Sequence, residues 1–303
     1  MDAALSGSLD PPIVLTRLFL QLGDADAISS LLSRAESERR AAADAEGGDR
    51  FEAIRDLLSG HPTAFGKMRD VLATLHGEHS HKSVDIASVA AAFDAAVELS
   101  PTASVALYSL GEVRLLASAT LEIVLLLKER KLISGKARVF EIGCGIGRFA
   151  QALADEVRSF TGTDLSKNMI RVAREGCADL PNVTFSVTSG RDLRDHPDGS
   201  FDLVLAVDSF PYIVATQPGL AELHIAESAR VLAPGGSLAI FNFSYEEDFG
   251  ASRDRLRRIS GEVGFNLVAA EPTPLRSWDG SLFHLRKQSS LSQDRGCRTG
   301  LSR

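Results

Sequence analysis

Val139-Phe140-Glu141-Ile142-Gly143-Cys144-Gly145-Ile146-Gly147 is the stretch on which the reading of this chain turns. A short apolar run feeds a turn with glycine at every second position, and a helix is predicted to start at about Arg148. Glycine accepts positive φ and lets a ligand come close to the main chain. A helix N-terminus behind such a turn presents free N–H groups and the positive end of a dipole. In open α/β sheets, ligands sit at the carboxyl ends of the strands.

Dinucleotides favour the spacing G-x-G-x-x-G, whose third glycine permits close helix–strand packing. Here the spacing is G-x-G-x-G, and Arg148 stands where that third glycine would be. An acid, Glu141, precedes the turn. A buried carboxylate repels a pyrophosphate and welcomes a cationic amino-acid group. A nicotinamide-dependent oxidoreductase is the competing enzyme reading, and the missing third glycine speaks against it.

Outward from this stretch, short β-branched runs alternate with amphipathic ones. Strands are predicted over Arg138–Ile142, Ser159–Thr163, Val183–Val187, Leu203–Val207 and Ser237–Phe243, and helices over Arg148–Val157, Lys167–Arg174 and Leu220–Leu232. That alternation indicates βαβ units on a parallel sheet. The pattern changes at the end, where Asn266–Ala270 and Leu282–Lys287 are separated by turn residues and are expected to pair antiparallel at a sheet edge.

The glycine turn is followed by further matches in order. Asp164 lies after the second run in Thr163-Asp164-Leu165-Ser166, with Met169 beyond it, and then come Phe201-Asp202-Leu203-Val204 and Arg230-Val231-Leu232-Ala233-Pro234-Gly235-Gly236. From about Tyr108 to Lys287 the sequence resembles the class I methyltransferases that use S-adenosyl-L-methionine (SAM). The resemblance implies a Rossmann-like sheet of seven strands, mostly parallel with an antiparallel last strand. It also implies that Glu141, Gly143, Cys144, Gly145 and Gly147 hold the methionine part of SAM. By the same resemblance Asp164, with Leu165 beside it, meets the ribose, and Met169 packs on the adenine. Two carboxylate oxygens suit a vicinal diol, and a thioether suits an aromatic face.

The chain departs from the family after the third strand. Many relatives carry Gly-Asp there, whereas this chain has Thr188-Ser189-Gly190-Arg191-Asp192-Leu193. Gly190, Arg191 and Asp192 are therefore placed beside the adenine, with the contact left to Arg191, Asp192 or backbone groups. Asp208-Ser209-Phe210-Pro211-Tyr212 resembles the box of amine methyltransferases acting on nucleic acids, but it is one residue too long and lacks the double proline, so that activity is not carried over.

Asp208, at the end of the fourth strand, is expected near the transferred methyl group. It is counted both among the cofactor contacts and as the group that takes the acceptor's proton. Tyr212 and Tyr245 each follow a predicted strand end and complete the catalytic candidates; a packing tyrosine with a solvated hydroxyl is the plain alternative. His224 lies on a predicted helix and reads as a packing residue. His76, His79 and His81 cluster in sequence, but Gly77 interrupts the helix that would align them as ligands, so no metal site is expected. The run Arg253, Arg255, Arg257 and Arg258 reads as a solvated helix face.

Residues 1–106 read as a helical domain over the mouth of the site, 107–288 as the SAM-binding domain and 289–303 as a disordered polar tail. Within the first, helices are predicted over Asp49–Leu58 and Val84–Leu99, with an alanine-rich, charged stretch from Ala35 to Arg50 that closes on Gly47-Gly48. A helix from about Gly111 to Arg130 bridges to the sheet with Val113, Leu116, Ile123 and Leu127 on its inner face. Net charge is −7, which argues against a protein held on nucleic acid by phosphate contacts. The apolar run Ile13–Leu22 is too short to span a membrane. Three scattered cysteines form no disulfide framework, so a cytoplasmic setting is expected. The expected partners are a small-molecule acceptor and, through the N-terminal helices, a second copy of the chain. A SAM-binding regulatory protein without catalysis is the non-enzyme alternative.

Overall fold

The computed structural model describes residues 9–41, 48–76 and 85–289. Seven strands form one sheet in the order β3-β2-β1-β4-β5-β7-β6. They are β1 Arg138–Ile142, β2 Ser159–Asp164, β3 Val183–Val187, β4 Phe201–Val207, β5 Leu232–Phe241, β6 Phe265–Glu271 and β7 Leu282–Lys287. The first five are parallel, and β7 runs antiparallel to both β5 and β6, as the sequence predicts.

Side chains alternate across this sheet. Val139, Leu203, Leu205, Ala239 and Phe241 pack on one face with Ile123, Leu127 and Phe149. Phe140, Val204, Ala206, Leu238 and Ile240 pack on the other with Ile225 and Leu256. A sheet covered on both faces needs continuously apolar strands, which is why β1 is buried from Val139 to Ile142. The chain turns from β1 to β2 on one side and later to β4 on the other, so the sheet's switch point lies at the end of β1.

Helices precede and connect the strands: α1 Pro11–Leu22, α2 Ala25–Ala41, α3 Gly48–Gly60, α4 Ala64–His76, α5 Ile86–Leu99, α6 Pro101–Val105, α7 Val113–Glu129, α8 Arg148–Leu153, α9 Lys167–Gly176, α10 Phe210–Thr216, α11 Leu220–Val231 and α12 Phe249–Glu262. The apolar run near the N-terminus is α1, which buries Ile13, Val14, Leu18 and Phe19 in a core shared with α2, α3 and α4. No described helix is long and apolar enough to cross a membrane.

Several expectations need correction. Val113 is 70% exposed rather than turned to the sheet. It is the first residue of α7 and shares an i, i+4 row with exposed Leu121 and Leu125, whereas Leu116, Ile123 and Leu127 do face inward. β5 starts five residues earlier than the apolar run suggests. Leu232 already pairs with Phe201, and the Pro234-Gly235-Gly236 segment is absorbed in a register shift before Ser237 pairs with Leu203. Helices α4, α10 and α12 were not read as elements. Helix α10 is short, and α12 buries only Ser252, Leu256, Ile259 and Ser260, so neither carries a strong apolar period. On α12, Arg255 is bound to Glu222 and Glu247 rather than solvated. His79, His81 and the hinge glycine Gly47 lie outside the described residues.

Helix α5 is fastened to α9 of the sheet domain by two carboxylates, Glu98, which pairs with Arg171 at 2.6 Å, and the less exposed Asp94. Asp94 Oδ1 accepts from Ser166 Oγ at 2.6 Å and from the Asn168 backbone N–H at 3.0 Å, at the start of α9. Anions at a helix N-terminus are stabilising by hydrogen bonding and by the dipole. Asp94→Ala is expected to cost about 1–2 kcal/mol and to lower the melting temperature by roughly 2–6 °C. Calorimetry and proteolysis within α5 check it.

Candidate active site

At the carboxyl ends of β1, β2, β4 and β5 lies a cavity of about 470 Å³. Its floor is the turn from β1 to α8, where Gly143, Gly145 and Gly147 have φ of 72°, 51° and 77°. These values favour glycine, and all three positions also lack room for a side chain. A Cβ at Gly143 would sit 2.5 Å from Ser209 Cβ, and one at Gly145 would sit 2.7 Å from Val105 Cγ1. Gly147 serves packing instead, because a Cβ there would meet the Phe185 ring at 2.9 Å and Ala173 Cβ at 3.1 Å.

The turn is tied to β2 by hydrogen bonds. Gly143 N and Cys144 N both donate to Thr163 O, at 2.8 and 2.9 Å. Asp164 Oδ2 accepts from Gly145 N and Oδ1 from Ser166 N, each at 2.9 Å. Burial raises the Asp164 carboxyl above the usual aspartate range, and its bonds from the Ser166, Gly145 and Leu165 backbone N–H groups oppose that rise. A carboxylate has about four lone-pair positions, so Asp164 keeps acceptor capacity for a ligand hydroxyl.

Among the residues singled out from sequence, Gly143, Gly145, Asp164, Leu165, Met169, Gly190, Asp208, Tyr212 and Tyr245 line the cavity together. Glu141, Cys144 and Gly147 stand behind its wall. The Cys144 thiol packs toward Gly162, where a Cβ would meet Sγ at 2.9 Å. Arg191 is exposed, and Asp192 bonds Arg194; neither is on the wall, and that side is closed by Gly190 and Leu193 instead. His224 is buried beside the cavity with Nδ1 bonded to Leu220 O at 2.9 Å, and burial lowers its pKa.

Glu141 is 2% exposed, and its Oε2 has no hydrogen-bond partner among the protein's atoms. Burial pushes its carboxyl up to about 8, with the Arg148 guanidinium pulling down and Asp164 pushing up. Arg148 itself is held through Nη1 to Tyr108 OH at 3.2 Å and Thr120 Oγ1 at 3.4 Å.

Beyond the turn the wall changes character. Asp208 ends β4 with φ of 56°, and Asn242 follows β5 with φ of 64°. Asp208 Oδ1 accepts from Asn242 Nδ2 at 2.6 Å and from Tyr245 OH at 3.4 Å, and Oδ2 accepts from Trp278 Nε1 at 3.0 Å. Tyr245 is surrounded by protein atoms yet keeps 59% of its surface accessible, so that surface faces the cavity. Tyr212 lies in α10 rather than a loop, edge-on to Phe93 at 4.9 Å between ring centres and to Tyr245 at 6.1 Å. Burial raises both phenols above their ordinary value, and the charge of Asp208 adds to it. Ile13, Leu20, Leu72, Val89 and Leu107 close this end with apolar surface.

Sequence reasoning missed Trp278, Asn242 and Phe93. Asn242 was hidden inside an expected strand. Trp278 is the chain's single tryptophan, placed in a turn segment, and that was the available signal.

Residues 139–236 match the family model of a methyltransferase domain. The demethylmenaquinone methyltransferase of Tropheryma whipplei (strain Twist) is 34% identical over 124 residues, which cover 41% of this chain and 49% of that protein. The ubiquinone biosynthesis O-methyltransferase of Xanthomonas oryzae pv. oryzae (strain PXO99A) is 33% identical over 103 residues, covering 34% of this chain and 41% of its own. The chain thus spans half or less of the length of these two relatives. Among solved structures, the N-methyltransferase NodS from Bradyrhizobium japonicum WM9 is 18% identical with a TM-score of 0.46, covering 59% of this chain and 99% of that one. Residues 139–236 thus carry a methyltransferase domain. S-adenosyl-L-methionine is the cofactor that this domain match implies.

The residues present fit that cofactor. The turn is a side-chain-free cradle, Asp164 retains acceptor capacity for a hydroxyl, and the orphaned Glu141 carboxyl favours a cation nearby. A cation bound at the turn favours ionised Glu141, whose empty-site pKa is about 8. SAM binding at pH 7 is therefore expected to release a proton, and affinity should rise with pH up to about 8 and level off above it. Titration calorimetry in buffers of different ionisation enthalpy reads this directly. In the ligand-free protein the native carboxyl holds its proton until about 8, against an ordinary value of 4.5, so its burial costs stability as pH rises across that window. Glu141→Gln should then raise the melting temperature at pH 8.5 while abolishing the proton release.

Proposed function

We propose that this protein transfers a methyl group from SAM to an oxygen or nitrogen of an apolar small molecule, a metabolite or natural product bearing a ring. One observation carries the reading. A single cavity joins a polar end, made by Gly143, Gly145 and Asp164, to an apolar end, made by α1, α5 and the aromatic rings of Phe93, Tyr212 and Tyr245, with Asp208 on its wall. Relatives named for demethylmenaquinone and ubiquinone biosynthesis support an acceptor of this kind. The acidic balance of the chain and its three cysteines support a cytoplasmic enzyme that does not act on nucleic acid.

Bound at the turn, SAM supplies an electrophilic methyl on a sulfonium. The chain's own contribution is alignment and exclusion of water, and alignment alone supplies up to about 7–11 kcal/mol of barrier reduction. Asp208 Oδ1 takes the proton of the acceptor's O–H or N–H as the new bond to carbon forms. The helices before α7 supply the acceptor side: Leu20, Leu72, Val89 and Phe93 shield it from water and select apolar surface.

Asp164→Ala is expected to weaken SAM binding by about 10–100-fold, the loss of charge-assisted hydrogen bonds, as read by calorimetry. Asp208→Asn should leave that affinity within a few-fold and lower kcat by about 10²–10⁴ across a panel of phenolic and amine acceptors. Tight SAM binding with no transfer to any acceptor by the unmodified protein would instead assign a regulatory role.

A further inference from the structure

Asp208 and Asn242 end neighbouring parallel strands, and both are left-handed, with φ of 56° and 64°. Asp208 N donates to Phe241 O at 2.9 Å, which locks the two strand ends side by side. Asparagine and aspartate tolerate this conformation better than other residues, but it still costs energy and persists where the surroundings impose it.

The surroundings here are the segment between β6 and β7. Its Trp278 is 1% exposed and stands edge-on to Phe241 at 5.4 Å. A Cβ at Gly280 would come within 2.2 Å of the Trp278 ring and 2.3 Å of Asn242 Oδ1. Ser281 N donates to Asn242 Oδ1 at 3.0 Å, so the amide's orientation is fixed and its Nδ2 is aimed at Asp208. The segment is tethered on its far side as well. Glu122 of α7 accepts from Arg276 N at 3.0 Å and Ser277 N at 2.7 Å, and Asp279 pairs with Arg17 of α1 at 2.7 Å.

A tryptophan used only for packing can bond its N–H to any nearby carbonyl. This one gives it to a carboxylate on the cavity wall, and the asparagine gives its shortest bond to the same group. Together they occupy Oδ2 and one side of Oδ1. The remaining Oδ1 contact, from Tyr245 at 3.4 Å, is the long one and lies toward the cavity.

We propose that Trp278 and Asn242 are positioning residues for Asp208: they fix its carboxylate, hold it charged, and leave one Oδ1 lone pair facing the acceptor space. The inference rests on the methyltransferase reading for its purpose, but not for its test. Other groups face Asp208 from each neighbouring element. Arg148 on α8 favours its charge, Asp279 beside Trp278 opposes it, and the hydroxyls of Tyr108, Tyr212 and Tyr245 are neutral in the acid range. Burial is the larger influence and raises the Asp208 carboxyl above the usual aspartate range, with the bonds from Asn242 and Trp278 pulling it back down. Losing a donor to the charged form should move the midpoint up by about one to two pH units.

Because Trp278 is the chain's single tryptophan, its fluorescence reports the state of its acceptor without cofactor or substrate. The experiment is a fluorescence titration of the full ligand-free chain between pH 3 and 9, with circular dichroism at each point to confirm the fold. The expected result is one transition with a midpoint above the ordinary aspartate value, absent in Asp208→Asn. Asn242→Gly suits the positive φ and should move the midpoint up by about one to two pH units. A flat fluorescence profile in folded protein, a transition that survives Asp208→Asn, or an unmoved midpoint in Asn242→Gly would each overturn the proposal. In a methyl-transfer assay the acid limb of kcat/KM should shift with the same variant. If the fluorescence midpoint moves while no acceptor is methylated, the clamp stands and the functional reading falls.

Discussion

Asp164 bonds the backbone N–H of Gly145 with one carboxylate oxygen and that of Ser166 with the other, and the site is organised about this bridge. It couples the turn after β1 to the turn after β2, the two turns that make the polar end of the cavity. The bridge requires Gly145 in a left-handed conformation with no Cβ, since Val105 of α6 stands where that atom would be. The same geometry therefore brings the preceding helices up against the turn. One carboxylate and one absent side chain set both the floor of the cavity and the approach of its roof.

The cavity is electrostatically graded. Near the turn, buried carboxyls of Glu141 and Asp164 are raised by burial and lack full compensation from the protein, a state that favours a cationic ligand. Arg148 moderates Glu141 from behind the wall. At the other end Asp208 is compensated by neutral donors, Asn242 and Trp278, which stabilise its charge without neutralising the region. Arg148 thus does the opposite of a phosphate-binding arginine. It lies among acids and bonds Tyr108 and Thr120 rather than pointing into the cavity.

Local rules were enough to read much of this chain. The strand β1 and the start of α9 are legible because a strand buried on both faces is predominantly apolar and because Ser166 caps α9 by accepting from Met169 N. Gly143 and Gly145 are legible because the tight turn holds both at positive φ. The segment after β3 was less so. Nothing in Gly190-Arg191-Asp192 says that Gly190 meets Leu165, with a Cβ only 2.4 Å from its Cδ2, while Asp192 turns away to Arg194. That outcome depends on how closely β2 and β3 end beside one another.

By itself the sequence determined the sheet, its antiparallel end and the cofactor turn, since each follows from periodicity or from a residue type that alone satisfies the local backbone. Only the tertiary structure decided the far end of the cavity. Phe93, Asp208, Asn242, Tyr245 and Trp278 come from separate elements, and their meeting depends on strand order, on the tether of the β6–β7 segment to α1 and α7, and on Asp94 holding α5 in place. Contacts between residues so far apart in the chain leave no period and no spacing in the sequence, because what fixes them is the packing of whole elements.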